Sequence, residues 1–142
     1  DDYAHHPTEV RAVLSALREL DPSRLIAVFQ PHLYSRTRAL GEEFGAALAL
    51  ADEAVVLDVY PAREEPLGDL AGVSGLQVAQ AASERMAGRP VWWLPRIEDA
   101  QRALAERLDG NPRLYGEGTV LVTIGAGDVF RLGEALATEG SR

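Results

Sequence analysis

The sequence predicts an α/β domain, a Rossmann-like three-layer fold with a mostly parallel sheet and helices on both faces. Two observations predict it. Short apolar runs rich in Val, Ile and Leu alternate along the chain with longer stretches of helical periodicity. Parallel strands need such helical crossovers, and the crossovers cover the sheet. In addition, the chemistry-bearing residues gather after the strands, while the loops before the strands are plainer.

The elements follow in order. Val10, Val13, Leu14, Leu17 and Leu20 recur at spacings of three and four, so a helix runs from about Pro7 to Leu20. Pro7 suits the first turn, where its missing N–H costs nothing, and Asp21-Pro22 ends the helix. Residues 24–30, RLIAVFQ, read as a buried strand. Leu40, Phe44, Ala47, Leu48 and Leu50 mark the second helix, and residues 53–58, EAVVLD, the next strand. A Gly- and Pro-bearing stretch, Pro61 to Gly75, leads to a helix near Leu76–Met86. The run VWWL, residues 91–94, is a short strand in which Trp92 and Trp93 are expected to be buried. A helix from about Ile97 to Leu108, the strand TVLVTI at 119–124, a Gly-Ala-Gly turn and a last helix to about Thr138 complete the alternation. Asp1-Asp2-Tyr3 stands where a preceding strand should end, so the chain reads as trimmed at a strand terminus.

Composition narrows the function. The 142 residues suffice for one domain, with 46% hydrophobic and 25% charged residues, the balance of a globular protein. No apolar run approaches the roughly 20 residues that span a bilayer, so no membrane partner is expected. The net charge of −8 argues against nucleic acid. There is no Cys, which excludes disulfides and thiolate metal sites and fits a cytoplasmic location. All 14 basic residues are Arg. Without Lys the chain cannot supply a lysine nucleophile or a phosphate-loop lysine.

In a parallel sheet the segments after each strand share one edge, where doubly wound domains bind ligands. That edge collects Asp1, Asp2, Tyr3, His5 and His6, then Gln30, His32, Tyr34, Arg36 and Arg38, then Asp58, Tyr60, Arg63, Glu64 and Glu65, then Arg96, and last Gly125, Ala126, Gly127 and Asp128. It is basic within an acidic protein, and guanidinium groups match carboxylate or phosphate, so an anionic ligand is expected. No metal site is expected. Adjacent His5 and His6 point opposite ways on extended backbone, which leaves too few ligands for an open zinc site. The Gly125–Gly127 turn permits close backbone approach but lacks the Gly-Lys-Ser/Thr of a phosphate loop.

Four segments together resemble the third, C-terminal domain of the Mur ligases, and the alanine-adding branch in particular: DDYAHHPTEV, FQPHLYSRTRAL, LDVYPAREEPLGDLAGVSG and TIGAGDVF. They span nearly the whole chain in the family's order. The resemblance implies residues 1–142 as one amino-acid- and partly ATP-binding domain, with UDP-binding and central ATPase domains elsewhere. It implies an ATP-dependent C–N ligation in peptidoglycan precursor synthesis, with L-alanine, ATP and UDP-N-acetylmuramate as partners and with ATP and Mg2+ held mainly by the central domain. It further implies that Asp2 meets the ATP ribose, that Tyr3 and His5 line the site, that His32 and Arg36, with Arg38, receive the amino-acid carboxylate, and that Gly125, Ala126 and Gly127 face the same pocket. Leu33 stands where many relatives have arginine. The isolated domain should be inactive. A related murein peptide ligase domain, a free-standing anion-binding module and a small hydrolytic or phosphotransfer enzyme using His5 or His32 remain the alternatives.

Overall fold

The computed structural model describes residues 1–140. Helix α1 (Pro7–Glu19) leads to strand β1 (Arg24–Phe29), α2 (Tyr34–Leu48), β2 (Glu53–Val56), a 3₁₀ turn (Gly68–Leu70), α3 (Leu76–Arg85), β3 (Val91–Trp93), α4 (Ile97–Gly110), β4 (Thr119–Ile124) and α5 (Phe130–Gly140). The strands pair in parallel in the order β3-β2-β1-β4. The expected α/β sheet with helices on both faces is therefore present. Among the described residues no helix is long and apolar enough to cross a membrane.

The strands read as continuous apolar runs because both faces are covered. Leu25, Ala27 and Phe29 of β1 pack with Val10, Leu14, Phe44, Leu48 and Val78 from α1, α2 and α3. Ile26 and Val28, pointing the other way, pack with Ala100 and Leu104 of α4 and Leu132 of α5. The period of two thus assigns alternate residues of one strand to two separate cores. Phe29 and Phe44 meet at 4.9 Å between ring centres, a geometry worth about 0.5–1.5 kcal/mol beyond area burial. Helices α2 and α3 approach closely at Gly45, where any side chain would collide with Ala81.

The amino terminus behaves as a strand end. Asp2 forms a parallel bridge with Ile124; its N–H donates to the Thr123 carbonyl at 2.8 Å and Gly125 N–H donates back to the Asp2 carbonyl at 3.0 Å. Asp1-Asp2 thus continues the sheet beyond β4 before α1 begins.

One expectation fails. Trp92 and Trp93 are not buried but 41% and 37% exposed. Strand β3 is a three-residue edge strand with a single neighbour, β2. Aromatic preference for strands does not distinguish a central strand from an edge. Trp92 is covered instead by the Arg107 guanidinium, 5.1 Å above its ring.

Candidate functional site

Strand β1 feeds α2 on one face of the sheet, whereas its neighbour β4 feeds α5 on the other. The winding reverses between these two strands, and the gap beyond their carboxyl ends is where such sheets bind ligands. Gln30 and the turn after β4 close the floor of that gap. Buried Gln30 donates from Nε2 to Asp128 Oδ1 at 2.8 Å, and Asp128 N–H donates to Gln30 Oε1 at 3.1 Å. Gly127 lies between Gln30 and Tyr60: a Cβ there would come within 2.6 Å of Gln30 Oε1 and of the Tyr60 ring. Glycine is required by space, not merely by the turn.

His32 is the centre of the rim. It forms a parallel bridge with Tyr60, in which Tyr60 N–H donates to the Pro31 carbonyl at 2.8 Å and Leu33 N–H to the Tyr60 carbonyl at 2.9 Å. Its ring stacks on Tyr60 at 5.7 Å and 12°, and His5 meets it at 6.3 Å with the rings at 63°. One turn into α2, Arg36 reaches back with Nη1 to His32 Nδ1 at 3.2 Å and to the His32 carbonyl at 3.3 Å. Desolvation, and then the adjacent Arg36 charge, hold the His32 imidazolium below its ordinary pKa. The ring is therefore neutral at pH 7. A guanidinium can only donate, so Nδ1 must accept and the proton resides on Nε2. The result is a neutral N–H donor beside a cation.

The rest of the rim is placed unevenly. Tyr3 is exposed and its ring meets His5 at 5.7 Å, while its carbonyl accepts from His5 Nδ1 at 3.1 Å. Asp2 Oδ1 accepts from Ala4 N–H at 2.9 Å. Asp1, Asp2, Tyr3, Gly125, Gly127, Val129 and Phe130 line a hollow of about 390 Å³ beside the histidines. Ala126 lies within the same turn. Arg38 turns away and faces Asp69 at 3.9 Å, more than half exposed. Arg96 pairs loosely with Glu98 at 3.7 Å on the surface, and Arg63 is exposed. The basic cluster expected from the sequence thus reduces to Arg36 with the histidines.

Two features escaped sequence reasoning. Glu64 binds the start of α2: its Oε1 accepts from Ser35 N–H at 3.0 Å and its Oε2 from the Ser35 hydroxyl. At the opposite edge Glu53, 1% exposed, gathers Arg24 at 2.9 Å, Arg107 at 3.0 Å and Tyr115 at 2.5 Å. The partners lie 29, 54 and 62 residues away in sequence, beyond any local signal. Among the described residues no group of three or more His, Cys, Asp or Glu is arranged to hold a metal ion.

The family model described as Mur ligase, glutamate ligase domain, matches residues 1–127. This chain belongs to the Mur ligase family. Its Mur ligase relatives include the UDP-N-acetylmuramate–L-alanine ligases of Mycolicibacterium vanbaalenii, 52% identical over 98% of the chain, and of Rhodococcus jostii, 49% identical over 96%. The chain spans about 27% of the length of each. The murein peptide ligase of Psychrobacter arcticus shares the fold, with a TM-score of 0.66 over 97% of this chain and 26% of that protein at 21% identity. The rim segments after the amino-terminal strand end, β1, β2 and β4 thus lie on a Mur ligase domain.

Proposed function

We propose that this chain is the amino-acid-binding domain of an ATP-dependent UDP-N-acetylmuramate–L-alanine ligase, and that His32 and Arg36 receive the alanine carboxylate. The observation that carries this reading is the His32–Arg36 pair. It offers a neutral Nε2–H and a fixed cation at one point of the sheet edge, in a chain about 50% identical to such ligases.

The chemistry follows from that pair. The amino acid is a small zwitterion. Its carboxylate takes the Nε2–H of His32 and an N–H of Arg36, a charge-assisted pair of bonds that fixes orientation. Holding the carboxylate leaves the amine free to face the acyl phosphate formed on the lactyl carboxylate of the UDP-sugar. The amine nitrogen forms the new C–N bond as the C–O bond to phosphate breaks and the nitrogen loses its proton. Fixing the nucleophile converts encounter into a unimolecular step, which is the contribution expected of this domain. The Leu33 side chain has no donor, its N–H is taken by the Tyr60 carbonyl, and Arg38 faces Asp69, so the carboxylate falls to His32 and Arg36.

The residues around the amino terminus fit the edge of a nucleotide. One Asp2 oxygen is held by Ala4 N–H, leaving the other for a ribose hydroxyl, and Val129 and Phe130 give the hollow an apolar wall. Bound ATP would supply the phosphoryl group. Following the family resemblance, we assign Mg2+ and phosphoryl transfer mainly to the central ATPase domain of a longer enzyme, and the UDP-sugar to its UDP-binding domain. Its nucleotide substrates are cytoplasmic molecules, and we assign the domain to that compartment.

The test is phosphate release from ATP and Mg2+ by the longer enzyme. Release should require both UDP-N-acetylmuramate and alanine, and this chain alone should release none. Turnover by the chain alone, rising with its concentration, would overturn the reading.

A further inference from the structure

We propose that Glu64 is a positioning residue: its carboxylate caps the amino terminus of α2 from the loop after β2, and so fixes the helical turn that aims Arg36 at His32. Its effect on turnover rests on the amino-acid-site reading above; the cap does not.

Helix α2 begins without a cap of its own. The first N–H groups of a helix have no partner within it and need an acceptor. The residue at the cap position is Leu33, which has no side-chain acceptor, and the first turn, Tyr34 to Thr37, carries no acidic residue. Leu33 also holds φ +71° with ψ 132°, a region that disfavours a side chain. This backbone is enforced from outside: Leu33 N–H donates to the Tyr60 carbonyl at 2.9 Å, while Thr37 N–H and hydroxyl return to the Leu33 carbonyl at 3.1 and 2.8 Å.

Glu64 supplies the missing acceptor across 29 residues of sequence, taking the Ser35 N–H at 3.0 Å and the Ser35 hydroxyl. The loop is set to do this. Glu64 N–H donates to the Pro61 carbonyl at 2.9 Å, directly beyond the Tyr60 bridge. An anion at this helix end also meets the positive end of the helix dipole. The Ser35 hydroxyl, then the Ser35 N–H, hold the Glu64 carboxyl below the usual carboxylate range. Arg36 is the next residue, and its guanidinium reaches back one turn to His32. The carboxylate thus lies within the electrostatic reach of both groups: the Arg36 charge helps to hold Glu64 down, and the Glu64 charge opposes part of the downward shift of His32. Because a protein carboxylate occupies the helix terminus, an incoming carboxylate is left with the Arg36 guanidinium and the His32 Nε2–H.

Two measurements test this. In the 142-residue chain, amide hydrogen exchange at Ser35 reports the cap directly, because that N–H has no intrahelical partner. Glu64→Ala should speed Ser35 exchange about tenfold or more while β1 amides are unchanged. Glu64→Gln, which keeps one acceptor oxygen, should fall between. Unchanged Ser35 protection in Glu64→Ala overturns the proposal. In the longer enzyme, Glu64→Ala should raise the alanine KM about tenfold and leave the ATP KM within about twofold, with Glu64→Gln again intermediate. Lost Ser35 protection with an unchanged alanine KM overturns the positioning role. A wild-type enzyme that does not respond to alanine would refute the functional reading instead, and Ser35 exchange would still decide the cap.

Discussion

The Arg36 guanidinium donates to His32 Nδ1 at 3.2 Å across one turn of backbone, and this contact settles which face of the imidazole is free. With Nδ1 accepting and the Tyr60 ring stacked at 5.7 Å, the Nε2–H is the group left to meet a ligand. The pair follows β1 at the Tyr60 bridge, next to the reversal of winding between β1 and β4, the position where sheets of this kind generally bind ligands.

That geometry fixes a titration. Desolvation and the Arg36 charge keep the His32 pKa below 6.5. The folded state therefore resists protonation more than the unfolded chain does. His32 contributes stability that is fully present above pH 6.5 and is lost as pH falls from there through the folded pKa. An NMR titration of the His32 ring protons should give a midpoint below 6.5 that moves upward in Arg36→Ala. A wild-type midpoint at or above 6.5 would contradict the neutral donor.

Gly127 predicts a steric effect. Gly127→Ala places a methyl carbon 2.6 Å from Gln30 Oε1 and the Tyr60 ring. Overpacking of this kind costs about 1–3 kcal/mol. Urea unfolding should show that loss, and the Tyr60–His32 stack should be displaced. An unchanged unfolding midpoint would mean that the Tyr60 ring can move aside freely.

The far edge predicts a separation of stability from activity. Burial would push the Glu53 carboxyl up, but hydrogen bonds from Arg107, Tyr115 and Arg24 hold it below its ordinary value. Glu53→Ala strands two arginines around a buried space, and removing one partner of such a cluster costs about 3–5 kcal/mol. Thermal unfolding should reveal it. At a temperature where the variant remains folded, the alanine KM of the longer enzyme should match wild type.

How much of this was legible in the sequence depends on the range of each interaction. The helices and strands were readable because each is written in local periodicity; Leu25, Ile26, Ala27, Val28 and Phe29 alternate between two cores without a polar break. Asp2 could be placed at a strand end because alternation demanded a strand before α1, and the bridge to Ile124 fulfils it. The rim was readable at His5, His32, Tyr60 and Gly127, since topology alone sends those segments to one edge. Arg38 faces Asp69 and Arg96 faces Glu98, both on the surface; these pairs depend on side-chain placement that topology does not specify. Trp92 and Trp93 were misjudged because the sequence does not say which strand lies at the edge. Glu64 could be placed on the rim and Glu53 at a strand start, but their partners come together only after folding.

The most direct test of the central claim is steady-state kinetics of Arg36→Ala in the longer enzyme, with each substrate varied in turn. Losing a charged hydrogen bond in this sheltered position costs about 1.5–3 kcal/mol, tens-fold to over a hundredfold in kcat/KM. This loss should appear when alanine is varied, while the KM values for ATP and UDP-N-acetylmuramate stay near wild type. Unchanged alanine KM and kcat would contradict the claim.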